Sequence, residues 1–220
     1  GADCLDDMDA LARDEGFLAA IDDDSYTPKT YGDFLRNHKP VDIRNLQGSL
    51  VDEAFKLRQA KGFAAGSMVF DFDSTSNQQY GKKMEGVAQN YKFIDCLDSL
   101  QVFDEMGFQY FNEVRPGNTF SANGVGQVIH AILARAPRTK GFKKLRLYGR
   151  ADSAFCNTEF FNACAAKYIG FVTSMRANMF EPLIENIRDW KPTNRGKENR
   201  IKFYDGRECE VGETIYRAQN

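Results

Sequence analysis

The sequence predicts an α/β fold in which a helical lead-in precedes a mixed sheet of three antiparallel strands followed by alternating helix and strand. Three observations carry this. Met68, Phe70 and Phe72 alternate with Val69, Asp71 and Asp73 through the stretch Ser67–Ser76, which is the period of two of a pleated strand. Two more extended runs follow, joined by a turn at Glu105-Met106-Gly107, and complete an antiparallel meander. Beyond them, apolar residues recur at helical spacing at Val125, Ile129, Ile132 and Leu133 and again at Phe160, Phe161, Cys164 and Tyr168, each set leading into or out of a short apolar strand.

The chain opens with a short helix on Leu5, Met8 and Leu11, with acids in its first turn where they complement the helix dipole. Asp22-Asp23-Asp24 breaks the pattern, and three adjacent carboxylates without calcium-loop spacing do not make a metal site. Thr27-Pro28 supplies the cap and first position of the next helix, which Pro40 stops. Ile43, Leu46, Leu50, Ala54 and Leu57 then form a stripe, so residues 42–60 are expected to be an amphipathic helix packed on the sheet. After the first strand, Gln78 to Gln89 is polar and reads as a loop or hairpin connection. Tyr91 to Phe103 and Phe108 to Val114 are the next extended runs, and Ser121 or Asn123 caps the following helix. A strand over 144–150, a helix capped near Asn157 or Thr158 with Tyr168 inward, and a strand over 170–175 complete the sheet. A short helix with Leu183, Ile184 and Ile187, a polar stretch over 191–199 and two strand-like runs, Arg200–Tyr204 and Glu208–Arg217, read as a linker into a β-rich piece. The expected division is 1–62 helical, 63–190 core, and 191–220 the start of a β-rich insertion.

The 220 residues, 42% hydrophobic and 27% charged, match an ordinary globular domain, and no run approaches the roughly 18 apolar residues of a membrane span. The N-terminus has neither the basic nor the apolar region of a signal peptide, and its missing Met suggests a cut or processed chain. Five scattered cysteines without a C-x-x-C pair indicate neither a disulfide framework nor zinc, and point to a reducing cytoplasm; Cys96 and Cys164 read as core residues. With His38 and His130 as the only histidines, a Cys-His or Ser-His-Asp site has few possible bases. The net charge is −2, but residues 1–60 hold 13 acids against 7 bases, while 61–220 hold 22 bases against 18 acids. Arg135, Arg138, Lys140, Lys143, Lys144, Arg146 and Arg150 follow one another without an acid, a stretch that suits either phosphate binding or a solvated loop.

The chemistry concentrates on carboxylates. Asp71 and Asp73 share one face of their strand, and Asp152 lies just past the end of another. Two parallel strands that each carry an acid to the same edge can set the carboxylates side by side, where a divalent metal is the natural partner; any single Asp could equally accept backbone hydrogen bonds in a turn. Ser74, Thr75 and Ser153 are neighbouring hydroxyls able to orient a carboxylate or cap local backbone.

The runs DFDST at Asp71–Thr75, RPGNTFSANG from Arg115 and GRADSAF from Gly149 resemble, in order and approximate spacing, the blocks of bacterial insertion-sequence DDE transposases, over nearly the whole chain. That resemblance implies an RNase H-like catalytic core, the fold class that the order of elements also predicts. It implies cut-and-paste DNA transposition, in which transposon ends are cleaved and joined to target DNA, with two Mg2+ or Mn2+ ions, Asp73 and Asp152 as ligands, and Asp71 in reserve. DNA would be the partner, bound by Arg115, Lys143, Lys144, Arg146 and Arg150, with a homodimer forming on the DNA in the bacterial cytoplasm. The family's third carboxylate, a Glu on a late helix, is not found and is expected beyond residue 220. Tyr204, Arg207, Glu210 and Arg217 mimic the late signature, but Asp205-Gly206 among alternating residues is a hairpin turn. An RNase H-type nuclease that only hydrolyses, and an incomplete fragment acting in DNA binding or structure, are the rival readings.

Overall fold

A computed structural model describes residues 4–21, 26–62, 66–81, 83–192 and 210–214. The chain divides into two compact units, Gly1–Ser49 and Leu50–Asn220. The first holds a 3-10 turn at Leu5–Asp7, helices α1 (Met8–Leu11), α2 (Glu15–Ile21) and α3 (Pro28–Arg36), and the opening of α4 (Pro40–Lys61). Thr27 caps α3 as expected, its hydroxyl accepting the Thr30 N–H at 3.3 Å. Pro40 does not end that helix. It is the first residue of α4, where a missing N–H costs nothing, and Asp42 closes the turn by accepting the Lys39 N–H at 2.8 Å.

The second unit is built on a six-stranded sheet of β1 (Ser67–Gln78), β2 (Ala88–Gln89), β3 (Asp95–Asp104), β4 (Gln109–Pro116), β5 (Arg146–Ala151) and β6 (Gly170–Thr173). β3 lies between β1 and β4 and is antiparallel to both; β1, β5 and β6 run parallel, in the order β3-β1-β5-β6. Three antiparallel strands followed by alternating helix and strand is the RNase H-like arrangement that the sequence predicts. β2 falls in the stretch expected to be a loop or hairpin connection, and pairs with Asp95 and Cys96 at the start of β3.

One face of the sheet carries the core. Met68, Phe70 and Phe72 of β1 are at most 4% exposed and meet Leu100, Val102 and Tyr110 of the neighbouring strands. Over them lie α5 (Val125–Ala134), through Val125, Val128, Ile129 and Ile132, and α7 (Thr158–Ala165), through Phe160 and Cys164. Gly149 of β5 permits this approach, since a Cβ there would stand 3.1 Å from the Phe160 ring and 3.4 Å from the Cys164 Sγ. Burial pushes the Cys164 thiol up to about 12, so it stays a neutral core group.

Four expectations are corrected. The buried face of α4 within this unit is Val51, Ala54, Phe55 and Arg58, whereas Ile43, Leu46 and Leu57 are half exposed or more. Phe55 packs edge-on against Tyr110 and Phe142, and Arg58 is buried because it pairs with Asp104 (3.2 Å) and Glu105. Helix α5 is preceded by Gly124 (φ 79°) rather than capped by Ser121 or Asn123, and the Gly124 N–H donates to Glu159. Tyr168 is 97% exposed, because α7 has already ended and the residue turns the chain at φ 56°. Lys191–Pro192, expected in a polar linker, forms a strand (β7) paired with Glu210–Val211 (β8). Helix α6 (Lys140–Lys143) and α8 (Ala177–Ile184) complete the elements named here. The runs around Tyr204, Arg207 and Arg217, and the triplet Asp22–Asp24, lie outside the described residues.

Candidate active site

The register of β1 against β5 decides where the carboxylates meet. Ser67 pairs with Arg146 and the pairing runs without slip to Phe72 beside Ala151. Asp73 and Asp152 are the residues that follow this last rung on the two strands, which lie about 4.8 Å apart. The buried phenylalanines enforce this register, because a slip of one residue would turn Phe70 and Phe72 out to water and both aspartates in.

Both carboxylates are exposed. Asp73 accepts the Thr75 hydroxyl at 2.9 Å, and Asp152 accepts the Ala154 N–H at 2.9 Å as it caps the 3-10 turn Ser153–Phe155. Each thus has one oxygen held by a local donor, while the other meets no protein donor among the described residues. Of the hydroxyls singled out in the sequence, Thr75 orients an active-site acid, and Ser74 turns the other way to donate to Asp98 at 2.5 Å.

One rung before Phe72 and Ala151, Asp71 faces Arg150. The guanidinium grips the carboxylate with two hydrogen bonds, Nε–Oδ1 at 2.5 Å and Nη2–Oδ2 at 2.7 Å, and these bonds raise the Arg150 pKa. The fork that could hold a phosphate is therefore occupied by a carboxylate of the same planar geometry.

The expected DNA-binding residues separate. Arg150 is 61% exposed on the site. Lys143, Lys144 and Arg146 are exposed but lie at the opposite end of β5, about 20 Å from Asp152 at 3.3 Å per residue. Arg115 is buried and spent on the fold: it pairs with Asp98 through Nε (2.8 Å) and Nη2 (2.5 Å) and donates to the Asn123 and Ser121 carbonyls. Its expected phosphate contact gives way to a strut joining β3, β4 and the approach to α5. Sequence reasoning missed Asp98 although a signal existed: an acid at an inward position between Cys96 and Leu100 requires an internal partner.

Among the described residues, no group of three His, Cys, Asp or Glu side chains comes together as a metal cluster. The two hard oxygen donors present, exposed and each with one oxygen pre-oriented, fit a hard divalent cation.

A family model described as "Transposase DDE domain group 1" matches residues 1–220. No curated protein matches the chain. Among solved structures, the catalytic domain of Mos1 mariner transposase matches at 10% identity and a TM-score of 0.37, over 62% of this chain and 63% of that one. The Mos1 mariner paired end complex with Mn matches at 11% and 0.35, over 77% and 58%. The HTLV-2 integrase catalytic core domain in complex with magnesium matches at 17% and 0.28, over 54% and 68%. The chain thus spans less than two thirds of the Mos1 chains it matches, and at these scores the fold rests on its own sheet order.

Proposed function

The chain belongs to the transposase DDE domain family, group 1, and we propose that Asp73 and Asp152 form the divalent-metal-binding edge of a centre that cleaves transposon ends and joins them to target DNA. The observation that supports this is the unbroken β1–β5 register, which ends with Phe72 beside Ala151, so that each of the two acids, 79 positions apart in sequence, follows directly on the last paired residue of its strand. Thr75 and the Ala154 N–H hold one oxygen of each and leave the other directed by the same rigid strands. A pair of Mg2+ or Mn2+ ions, when bound there, would supply an activated water at neutral pH and charge stabilisation for the leaving oxygen. Arg150 stands beside the pair with the charge and shape to orient a phosphodiester once Asp71 releases it. DNA held across this edge as a complex with a second copy of the chain, in a reducing cytoplasm, completes the reading.

Among the described residues no third acid forms a cluster with them. The chain alone should bind metal weakly and cleave little. Calorimetric titration with Mn2+ or Mg2+ tests the site: weak binding abolished by Asp73→Ala and by Asp152→Ala is the expected result. Binding that survives both substitutions would place the metal elsewhere and overturn the assignment.

A further inference from the structure

Among the described residues of the unit, the segment joining β1 to β3 holds the most exposed aromatic rings outside the Tyr168 turn. Tyr80 is 93% exposed, and Tyr91 and Phe93 are each 83% exposed. Rings left in water forgo the largest burial term that any side chain offers; Tyr91 and Phe93 stand on the turn from β2 to β3, and Tyr80 follows Gln79, whose N–H donates to Asp95 at the start of β3, so this end of the sheet is marked as a contact surface. The turn that presents them is braced. Asn90 accepts the Lys92 and Ile94 N–H groups on its side-chain oxygen (2.9 and 3.2 Å), and its amide donates to the Ser76 hydroxyl of β1 at 3.2 Å. Phe93 is held at φ 59°, a conformation costly for any residue with a Cβ. The strain is kept where a flexible tip would relax, so the two rings stay pointed outward.

Charge and position name the occupant. Lys83, Lys92 and Glu85 are exposed in the same segment, and the sequence adds Lys82, so bases outnumber the acid. The Lys92 ammonium sits 5.4 Å from the centre of the Tyr91 ring, so that a flat apolar surface and a cation stand side by side. Aromatic faces interleaved with lysines are the surface that unstacked nucleotides bind, the rings taking bases and the lysines phosphates. The tip also continues the site. Asp73 pairs with Gln101 and β3 begins at Asp95, so the turn lies about 20 Å beyond the carboxylates at 3.4 Å per residue. That is roughly six base steps of DNA at 3.4 Å each.

We propose that the tip carrying Tyr80, Tyr91, Lys92 and Phe93 is a base-stacking contact for unpaired nucleotides of DNA whose phosphate lies at the Asp73–Asp152 edge. This rests on the DNA-cleaving reading for its substrate, and the test is chosen so that the two can fail separately. The 220-residue chain would be mixed, in EDTA, with a duplex ending in a short single-stranded overhang that carries 2-aminopurine, and with the same duplex blunt. Stacking on the rings should quench the probe. Tyr91→Ala and Phe93→Gly, the second relieving the backbone strain and so sparing the fold, should each weaken overhang binding by about ten-fold and abolish quenching, with blunt-duplex affinity unchanged. Because the assay contains no metal, a metal site that fails in the calorimetric titration would sink the preceding reading and leave the quenching, and this one, standing. Absence of quenching with the unsubstituted chain, quenching that persists in the Tyr91→Ala, Phe93→Gly double variant, or equal loss on both DNAs would overturn the proposal. So would a change in sedimenting mass of those variants with quenching unaltered, which would make the tip a contact between protein copies.

Discussion

On one face of β1, Met68, Phe70 and Phe72 lie under α5 and α7 with almost no exposure, while on the other Asp71 and Asp73 stand with Arg150 on an edge open to solvent. The buried face is held by apolar area and aromatic edge contacts, such as Phe72 with Phe160 at 5.4 Å. The open face is held by little beyond pairwise charge. The two are nonetheless one device, because a strand has no freedom to place its odd residues once its even ones are packed. The core sets the register, and the register sets the acids.

The largest effect is expected where the buried face breaks its own rule. Arg115→Ala would strand Asp98 as a buried unpaired charge and release the carbonyls before α5, at a cost of about 3–5 kcal/mol. Urea unfolding should show the loss as a lower midpoint with an unchanged slope. The open face should respond in the opposite sense. Asp71→Asn frees the Arg150 fork at a surface pair worth less than about 1 kcal/mol, so the midpoint should scarcely move while affinity for duplex DNA rises about two- to five-fold, read by fluorescence anisotropy. An unchanged affinity would show that Arg150 does not meet phosphate.

The smallest effect concerns acid. Burial pushes the Glu105 carboxyl up, but the Val69 N–H, its own backbone N–H and the Arg58 guanidinium outweigh this and hold it below its ordinary 4.5. A group depressed in the folded state stabilises the fold above its unfolded pKa, and that contribution fades as pH falls through 4.5 and below. Glu105→Gln should therefore lower the melting temperature at neutral pH and flatten its decline in acid. A parallel decline in both proteins would count against it.

How far the molecule was legible follows the same division. The alternation of Met68, Phe70 and Phe72 and the helical recurrence of Val125 to Leu133 are local patterns, and they predicted the sheet, its covering helices and the side on which Asp71 and Asp73 lie. The face of α4 misled because Arg58 counts as solvent-facing until its partners are known, and those partners, Asp104 and Glu105, lie more than 40 positions away. Arg115 misled for the same reason, its acid being 17 positions back. The basic run seemed to lead into Asp152, yet six residues of extended strand carry Arg146 to the other end of the sheet. Distance along a chain is not distance in a strand.

The Asp71–Arg150 grip has a consequence for the order of events. Arg150 is already answered by Asp71, and Arg176 donates to the Ser153 carbonyl at 3.3 Å, so with Asp73 and Asp152 the three acids described at that edge outnumber its two guanidiniums, and a phosphodiester approaching through water is repelled rather than steered. Under the proposed function, recruitment of DNA would therefore begin elsewhere on the surface. The scissile phosphate would then arrive last, after cations had gathered at the edge, and nucleic acid that merely collided with the site would be turned away uncut.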